Sequence, residues 1–149
     1  SILANPSRRE THDLLNTRLD RTEFMPFAPV IAADRASEVF DVSKVNAYAC
    51  RFMTITCNVL PNWRDRIPAV VHVDGSARPQ TIVRESNPLY FDILTAFEKI
   101  TSIPVLVNTS FNVHEEPIVN TPRECAQALL DRRIDFVVTQ QAIYEAEAS

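Results

Sequence analysis

Glycine is almost absent from this sequence, because Gly75 is the only one among 149 residues. Phosphate-binding Walker loops and dinucleotide-binding fingerprints both need several glycines at fixed spacing, so the sequence contains neither. Any nucleotide that this domain binds must therefore be held without a glycine-rich loop. Left-handed turn positions usually take glycine, so we expect Gly75 to occupy one of them.

Cysteine, lysine and long apolar runs are also scarce. The cysteines Cys50, Cys57 and Cys125 form no Cys-x-x-Cys pair, which argues against a zinc ribbon and favours reduced thiols in a cytoplasmic protein.

Lys44 and Lys99 are the only lysines among 15 basic residues, and the rest are arginines, which suit two-point contact with phosphate. The net charge of −4 does not favour a nucleic-acid binder. No apolar run approaches the roughly 18 residues of a membrane helix, so no membrane partner is expected.

Helical and strand patterns alternate irregularly along the chain, which predicts one α/β domain over residues 1–149. The expected architecture is a mixed, twisted open sheet flanked by helices. The expected helix N-caps are Ser7, Asp34, either Ser86 or Asn87, and Thr121, and the first helix should end near Leu19. Strands are predicted over 51–59, 70–73, 80–84, 103–107 and 135–139. The third helix should bury one face, formed by Leu89, Ile93, Phe97 and Ile100.

A polar cluster follows the strand that is predicted at 103–107. The residues after it are Asn108, Thr109, Ser110, Phe111 and Asn112. Open α/β sheets place ligand sites where core strands end, and small hydroxyls and amides there can hold a phosphate or acyl oxygen. An ordinary polar turn is the alternative interpretation.

A second polar cluster lies in VVHVDGSARPQ (70–80), where an apolar run leads into a turn that carries Ser76 and Arg78. Arg84 follows shortly after. Arginines neutralise and orient oxyanions, so these residues together with Ser110 and Asn112 suit a phosphorylated ligand. We therefore expect Arg78 and Ser110 to line one pocket, although each arginine alone could be a solvated surface residue.

Other chemistries have less support. His72 and Asp74 could form half of a metal site, but no third ligand is visible nearby. A triad of Ser110, His72 and Asp74 lacks the Gly-x-Ser-x-Gly nucleophile elbow. No metal site is expected within this domain.

Four segments in order resemble the C-terminal domain of the O-carbamoyltransferases, a family that includes enzymes of nodulation-factor and antibiotic biosynthesis. The segments are SILANP, LNTRLDRTEFMPFAPV, VVHVDGSARPQTI and IPVLVNTSFNVHEEPIVNTP. The resemblance covers nearly the whole chain and implies a YrdC-like fold. It also implies a larger N-terminal domain that binds iron and the acceptor and is not part of this sequence.

The resemblance implies that this domain converts carbamoyl phosphate and ATP, with Mg²⁺, into carbamoyl adenylate. The carbamoyl group would then pass to a hydroxyl of a small molecule or sugar at the N-terminal domain, so this fragment alone should not carbamoylate an acceptor. Arg78 and Ser110 would be catalytic. The substrate-binding residues would be Arg21, Ser76, Arg78, Arg84, Asn108, Ser110 and Asn112.

The sequence departs from the family pattern at Leu19 and Met25, where basic residues are usual, and at Glu115, where glycine is usual. The loss of positive charge favours the alternative function of a non-catalytic YrdC-like module that binds a nucleotide or RNA. The retained Ser76, Arg78 and Ser110 favour the enzyme. A purely structural domain would leave both polar clusters without a role.

Overall fold

The structure, a computed structural model, describes residues 1–21 and 26–146. Met25 and the tail beyond 146, which was expected to fray, lie outside the described residues. The strands are β1 (Ile2–Ala4), β2 (Ala28–Ala32), β3 (Cys57–Asn58), β4 (Ser76–Ala77), β5 (Gln80–Ile82), β6 (Val105–Thr109), β7 (Phe136–Val138) and β8 (Ile143–Glu145). The helices are α1 (Glu10–Arg18), α2 (Ala36–Val39), α3 (Ala47–Cys50), α4 (Pro61–Arg64), a 3-10 turn (Pro68–Val70), α5 (Pro88–Thr101) and α6 (Pro122–Leu130).

The main sheet is mixed and has the order β1-β6-β2-β5. β6 runs antiparallel to both β1 and β2, whereas β2 and β5 are parallel. Two short antiparallel pairs, β3 with β4 and β7 with β8, stand apart from it. The predicted single α/β domain with a mixed sheet flanked by helices is confirmed.

The sheet is buried on both faces because its central strands are almost entirely apolar. Successive side chains point to opposite faces of a strand, so Val105 and Val107 face one side and Leu106 the other. On the first side lies the larger core, which includes Phe27, Ile31, Trp63 and residues of α1. On the second side, Val30, Ile82, Leu94 and Leu106 form a smaller core under α5.

Several predicted strands are wrong. The segment 51–59 holds only one two-residue strand, β3, because a turn at 51–53 follows α3, and Met53 in that turn has φ of 53°. Residues 70–73 are not a strand, and Val73 is fully exposed. β7 pairs with β8 instead of the main sheet, and Phe136 and Val138 are exposed, so it is not a core strand. A short apolar run does not by itself reveal its pairing partner.

The helix signals were partly correct. The side chain of Asn87 accepts from the Tyr90 N–H, and Thr121 with Glu124 forms a complete capping box, so these two caps are confirmed. Ser7 and Asp34 are not N-caps, because α1 and α2 begin after Arg9 and Arg35 without a side-chain cap.

The predicted buried face of α5 was partly correct, because Ile93 and Phe97 are partly buried and pack against the core. Leu94 is its fully buried residue, whereas Leu89 and Ile100 are mostly exposed. The error arises because a nearly all-apolar helix offers more than one plausible apolar stripe. Among the described helices, none has both the length and the apolar character to cross a bilayer.

Left-handed backbone positions are filled mostly without glycine. Gly75 adopts φ of 81°, as expected, and five non-glycine residues in the described part of the chain also have positive φ. One of them is Glu115, with φ of 64°. A left-handed residue with a side chain costs roughly 1–2 kcal/mol. Glu115 thus adopts a conformation that glycine would adopt without that strain.

Candidate functional site

An open cavity of about 690 Å³ lies at the edge where β6 ends and where β1, β2 and β5 begin. The register places Ile2 beside Thr109 and Ala28 beside Asn108, which brings these strand ends together. The polar lining includes Arg21, Arg78, Gln80, Asn87, Asn108, Thr109 and Ser110. The cavity is therefore built from residues that are far apart in the chain.

Arg78 and Ser110, the two side chains expected to share a pocket, line this one cavity. Ser110 directly follows β6, and Arg78 lies between β4 and β5. β4 pairs with β3 and β5 pairs with β2, so Arg78 is held between two paired strands. Both side chains are exposed, and each is accessible to a ligand in the cavity.

Arg21 is a fixed cation at the wall of the cavity. Its Nη2 donates to Thr109 Oγ1 over 2.7 Å, and its guanidinium carbon lies 5.0 Å from the centroid of the Phe27 ring. That distance is within the range of a cation–π interaction. Partial burial lowers the pKa of Arg21, yet arginine stays protonated in proteins. The charge is thus oriented before a ligand arrives.

The Arg78 side chain, unlike that of Arg21, is not fixed by a hydrogen bond within the described residues. Within the described residues it makes no hydrogen bond or ion pair, so its charge is uncompensated. Its effect is visible on His72, whose pKa is lowered mainly by burial and further by the positive charge of Arg78, against an opposing effect of Asp74. Arg78 is therefore a cation available for an anionic ligand.

Asn108 joins two strands of the cavity floor. Its Nδ2 donates to Gln80 Oε1 over 2.6 Å, and β2 lies between the strands that carry these residues. The small Ala28 side chain stands opposite Asn108 in the register, which leaves room for this bridge. The Asn108 Oδ1 atom is buried and has no partner among the described residues.

Three predicted binding residues do not line the cavity. Ser76 is buried in the turn around Gly75, where its Oγ lies 3.0 Å from His72 Nδ1 and its N–H donates to Asp74. Hydrogen bonds to Asp74 from the backbone N–H and the side chain of Ser76 lower the pKa of Asp74. Ser76 therefore shapes the turn that precedes Arg78.

Arg84 and Asn112 also point elsewhere. Arg84 pairs with Asp92 over 2.6 Å on the exposed side of α5. Asn112 Nδ2 donates to the carbonyls of Val113 and Glu116, each over 3.0 Å, and so closes the loop after β6. In the structure, Arg84 has a surface ion pair and Asn112 has a loop-forming role.

Leu19 occupies the core and does not line the cavity, since its side chain is 1% exposed in the larger apolar cluster.

Gln80, Asn87 and Tyr90 line the cavity but were not among the predicted site residues. Gln80 and Ile82 lie on the same face of β5, the face toward α5. Asn87 caps α5, the helix that carries Tyr90. The cap signal at Asn87 was visible in the sequence. The pairing of β5 with β2, which brings this cap to the cavity, was not.

The described side chains that line the cavity are either positively charged or neutral. Among the described lining residues, Arg21 and Arg78 carry charge and no carboxylate is present. The described part of the chain also holds no group of three His, Cys, Asp or Glu side chains that could share a metal ion. An anion such as a phosphate is the complementary ligand for this cavity.

Comparison with known proteins gives a family match along the chain. The model described as "Carbamoyltransferase C-terminus" matches residues 1–146. "Nodulation protein NolO" of Bradyrhizobium diazoefficiens is 38% identical over 139 residues, which are 93% of this chain and 25% of that protein.

Two further relatives extend this pattern. "Nodulation protein NolNO" of Sinorhizobium fredii is 36% identical, over 93% of this chain and 20% of that protein. "Nodulation protein U" of Azorhizobium caulinodans is 45% identical over 112 residues, which are 75% of this chain and 19% of that protein. The chain thus spans a quarter or less of the length of these relatives.

Proposed function

This chain belongs to the carbamoyltransferase C-terminus family, and on that basis we propose that it forms carbamoyl adenylate within an O-carbamoyltransferase. The substrates would be carbamoyl phosphate and ATP. The fold would be YrdC-like. The longer protein would pass the carbamoyl group to a hydroxyl of a small molecule or sugar.

The observation that carries this proposal is the cavity at the end of β6. Two arginines, one fixed by Thr109 and one without a partner in the described part of the chain, flank hydroxyl and amide groups of the family motif Asn-Thr-Ser-Phe-Asn. Such groups stabilise phosphoryl charge when they are oriented in advance. A cavity of about 690 Å³ is also in the range that accommodates a nucleotide-sized ligand.

The proposed chemistry has two steps. Water first cleaves carbamoyl phosphate to carbamate and inorganic phosphate. A carbamate oxygen then attacks the α-phosphorus of ATP, which forms the new oxygen–phosphorus bond and breaks the bond to the bridging oxygen of pyrophosphate. Carbamate is unstable in water, so both steps must occur in one shielded site.

Arg78 and Ser110 are assigned to the reacting phosphoryl group because both are accessible in the cavity. Arg78 would neutralise charge that builds on the phosphate oxygens, and the Ser110 hydroxyl would donate to one of them. Arg21 would hold the phosphate from the opposite wall through the guanidinium group that Thr109 orients.

Mg²⁺ is compatible with this cavity only as a companion of the nucleotide. Mg²⁺ binds oxygen ligands and keeps several waters. Because the described lining offers no carboxylate, the phosphates of ATP and water would hold the ion. The ion would offset phosphate charge, while the arginines of this chain bind and orient the phosphates.

The first test is equilibrium binding by isothermal titration of this chain with carbamoyl phosphate and with ATP·Mg²⁺. The proposal expects both to bind, and it expects Arg21→Ala to weaken each of them. Arg123→Ala is the matched control, since Arg123 is an exposed arginine of α6 outside the cavity.

The second test is ATP–pyrophosphate exchange by the full-length protein. Exchange that requires carbamoyl phosphate supports adenylate formation. Binding of ATP without any such exchange would instead favour a non-catalytic nucleotide-binding module and would refute the proposed reaction.

A further inference from the structure

Two buried polar atoms near the cavity have no hydrogen-bond partner among the described residues. They are the Tyr90 hydroxyl oxygen and Asn108 Oδ1. Both residues line the same cavity. A buried polar group without a partner costs about 1–3 kcal/mol, so two of them beside one cavity call for an explanation.

The fold brings these two residues to the same side of the sheet. Alternation along β6 puts Asn108 on the face of Leu106, which packs under α5. Tyr90 lies in the first turn of α5 and packs against that same small core. The Tyr90 and Asn108 side chains therefore belong to the part of the cavity between the sheet end and the start of α5.

The two groups have complementary hydrogen-bonding roles. Burial raises the pKa of the Tyr90 hydroxyl, so the group is protonated at neutral pH and can donate. Asn108 Nδ2 is already used by Gln80, so its Oδ1 remains as an acceptor. A ligand that satisfies both groups must carry both an acceptor and an N–H donor.

Building on the proposed function, we propose that Tyr90 and Asn108 recognise the carbamoyl amide of the donor substrate. The Tyr90 O–H donates to the carbamoyl carbonyl oxygen, and Asn108 Oδ1 accepts from the carbamoyl NH₂. The Asn108 contact makes the site selective for a carbamoyl group over other acyl groups. Asn108 is then a specificity-determining residue of the cavity, and Tyr90 binds the carbonyl oxygen that acyl groups share.

The position of Asn108 favours the carbamoyl group over the adenine of ATP, which also carries an N–H donor beside an acceptor. Asn108 immediately precedes Thr109, the partner of Arg21, and Ser110, which is assigned above to the reacting phosphoryl group; all three residues line the cavity. In carbamoyl phosphate the amide is attached directly to the phosphate. In ATP a ribose separates the base from the phosphates, so the same pair of contacts would lie farther from Ser110.

The test compares carbamoyl phosphate with acetyl phosphate, in which a methyl group replaces the NH₂. Both are titrated into the wild-type chain and into Tyr90→Phe and Asn108→Ala. Wild type should prefer carbamoyl phosphate by about tenfold or more, since one hydrogen bond to an otherwise unpaired buried group contributes roughly 1.4 kcal/mol. Asn108→Ala should lose most of that preference while it keeps its affinity for acetyl phosphate. Tyr90→Phe should weaken both compounds about equally, because both carry the carbonyl oxygen to which Tyr90 donates.

Controls separate recognition from folding. Tyr144→Phe removes a hydroxyl from an exposed tyrosine of β8, outside the cavity, and should leave the affinity for both compounds unchanged. Tyr90→Phe removes a buried hydroxyl without a described partner, so its thermal transition should be equal to or higher than that of wild type. A lower transition together with unchanged affinity for both compounds would assign Tyr90 to structure and overturn the proposal.

The remaining outcomes are also decisive. If wild type binds carbamoyl and acetyl phosphate equally, the inference about Tyr90 and Asn108 is wrong although the phosphate site stands. If it binds neither compound, the proposed function of the cavity fails as well. If Tyr90→Phe instead changes the preference for ATP over inosine triphosphate, Tyr90 and Asn108 contact the base of the nucleotide. The carbamoyl assignment is then overturned.

Discussion

Replacement of Arg78 by alanine in the full-length protein should reduce carbamoyl-phosphate-dependent ATP–pyrophosphate exchange about a hundredfold. Arg78 is exposed, lines the cavity and makes no ion pair within the described residues, so its charge is free for a ligand. Loss of one preorganised charge contact at a transition state costs on the order of 3 kcal/mol.

The same change should barely affect folding. A surface substitution away from special features usually changes the free energy of unfolding by less than about 0.5 kcal/mol. Exchange and a urea titration, run side by side with Arg123→Ala as the control, therefore separate the two effects. Near-normal exchange in a well-folded Arg78→Ala protein would remove Arg78 from the site. A collapsed unfolding transition would show that our account of its free side chain is wrong.

Three stability predictions follow from backbone geometry and capping. Gly75→Ala should lower the free energy of unfolding by about 1–2 kcal/mol, because Gly75 has φ of 81° and a new Cβ would lie 2.9 Å from the Arg64 guanidinium carbon. Glu115→Gly should raise that free energy by roughly 0.5–1 kcal/mol, since relief of the left-handed strain exceeds the entropy cost of glycine. Hydrogen bonds from the Asn120 N–H and from Thr121 lower the pKa of Glu124, so wild type should be more stable than Glu124→Gln at neutral pH, and the difference should vanish as the pH falls through that lowered pKa.

Urea titrations across pH test all three. An unchanged midpoint for Gly75→Ala would contradict the turn geometry, and a destabilised Glu115→Gly would mean that the glutamate side chain contributes more than the strain costs. A Glu124→Gln difference that persists in acid, where the carboxyl group is protonated, would disprove an ionic capping contribution.

The parts of the fold that sequence reasoning recovered are those whose signals are local. The cap at Asn87 and the capping box at Thr121 each lie within four residues, and the run before Asn108 is buried along its whole length. Such features do not depend on a distant partner. The fold class followed from them.

The errors came from long-range pairing. Whether 135–139 joins the main sheet depends on which strand is its neighbour, and β8 pairs with it instead. The candidate site shows the same limit. The chemistry of the residues predicted that Arg78 and Ser110 share a cavity. Only the register between β6, β2 and β5 reveals that Gln80 and Tyr90 line it too and that Arg84 does not.

The position of β6 in the sheet has a consequence for synthesis on the ribosome. β6 begins at Val105, yet it is the neighbour of both β1 and β2, which are made much earlier. Within the main sheet, a nascent chain that ends before β6 can pair only β2 with β5, and the edge of β2 stays open to unwanted partners until β6 emerges. The strand that closes this edge also delivers Asn108, Thr109 and Ser110. Truncated translation products should therefore be both aggregation-prone and unable to bind phosphate, and the two properties should change together at the same chain length.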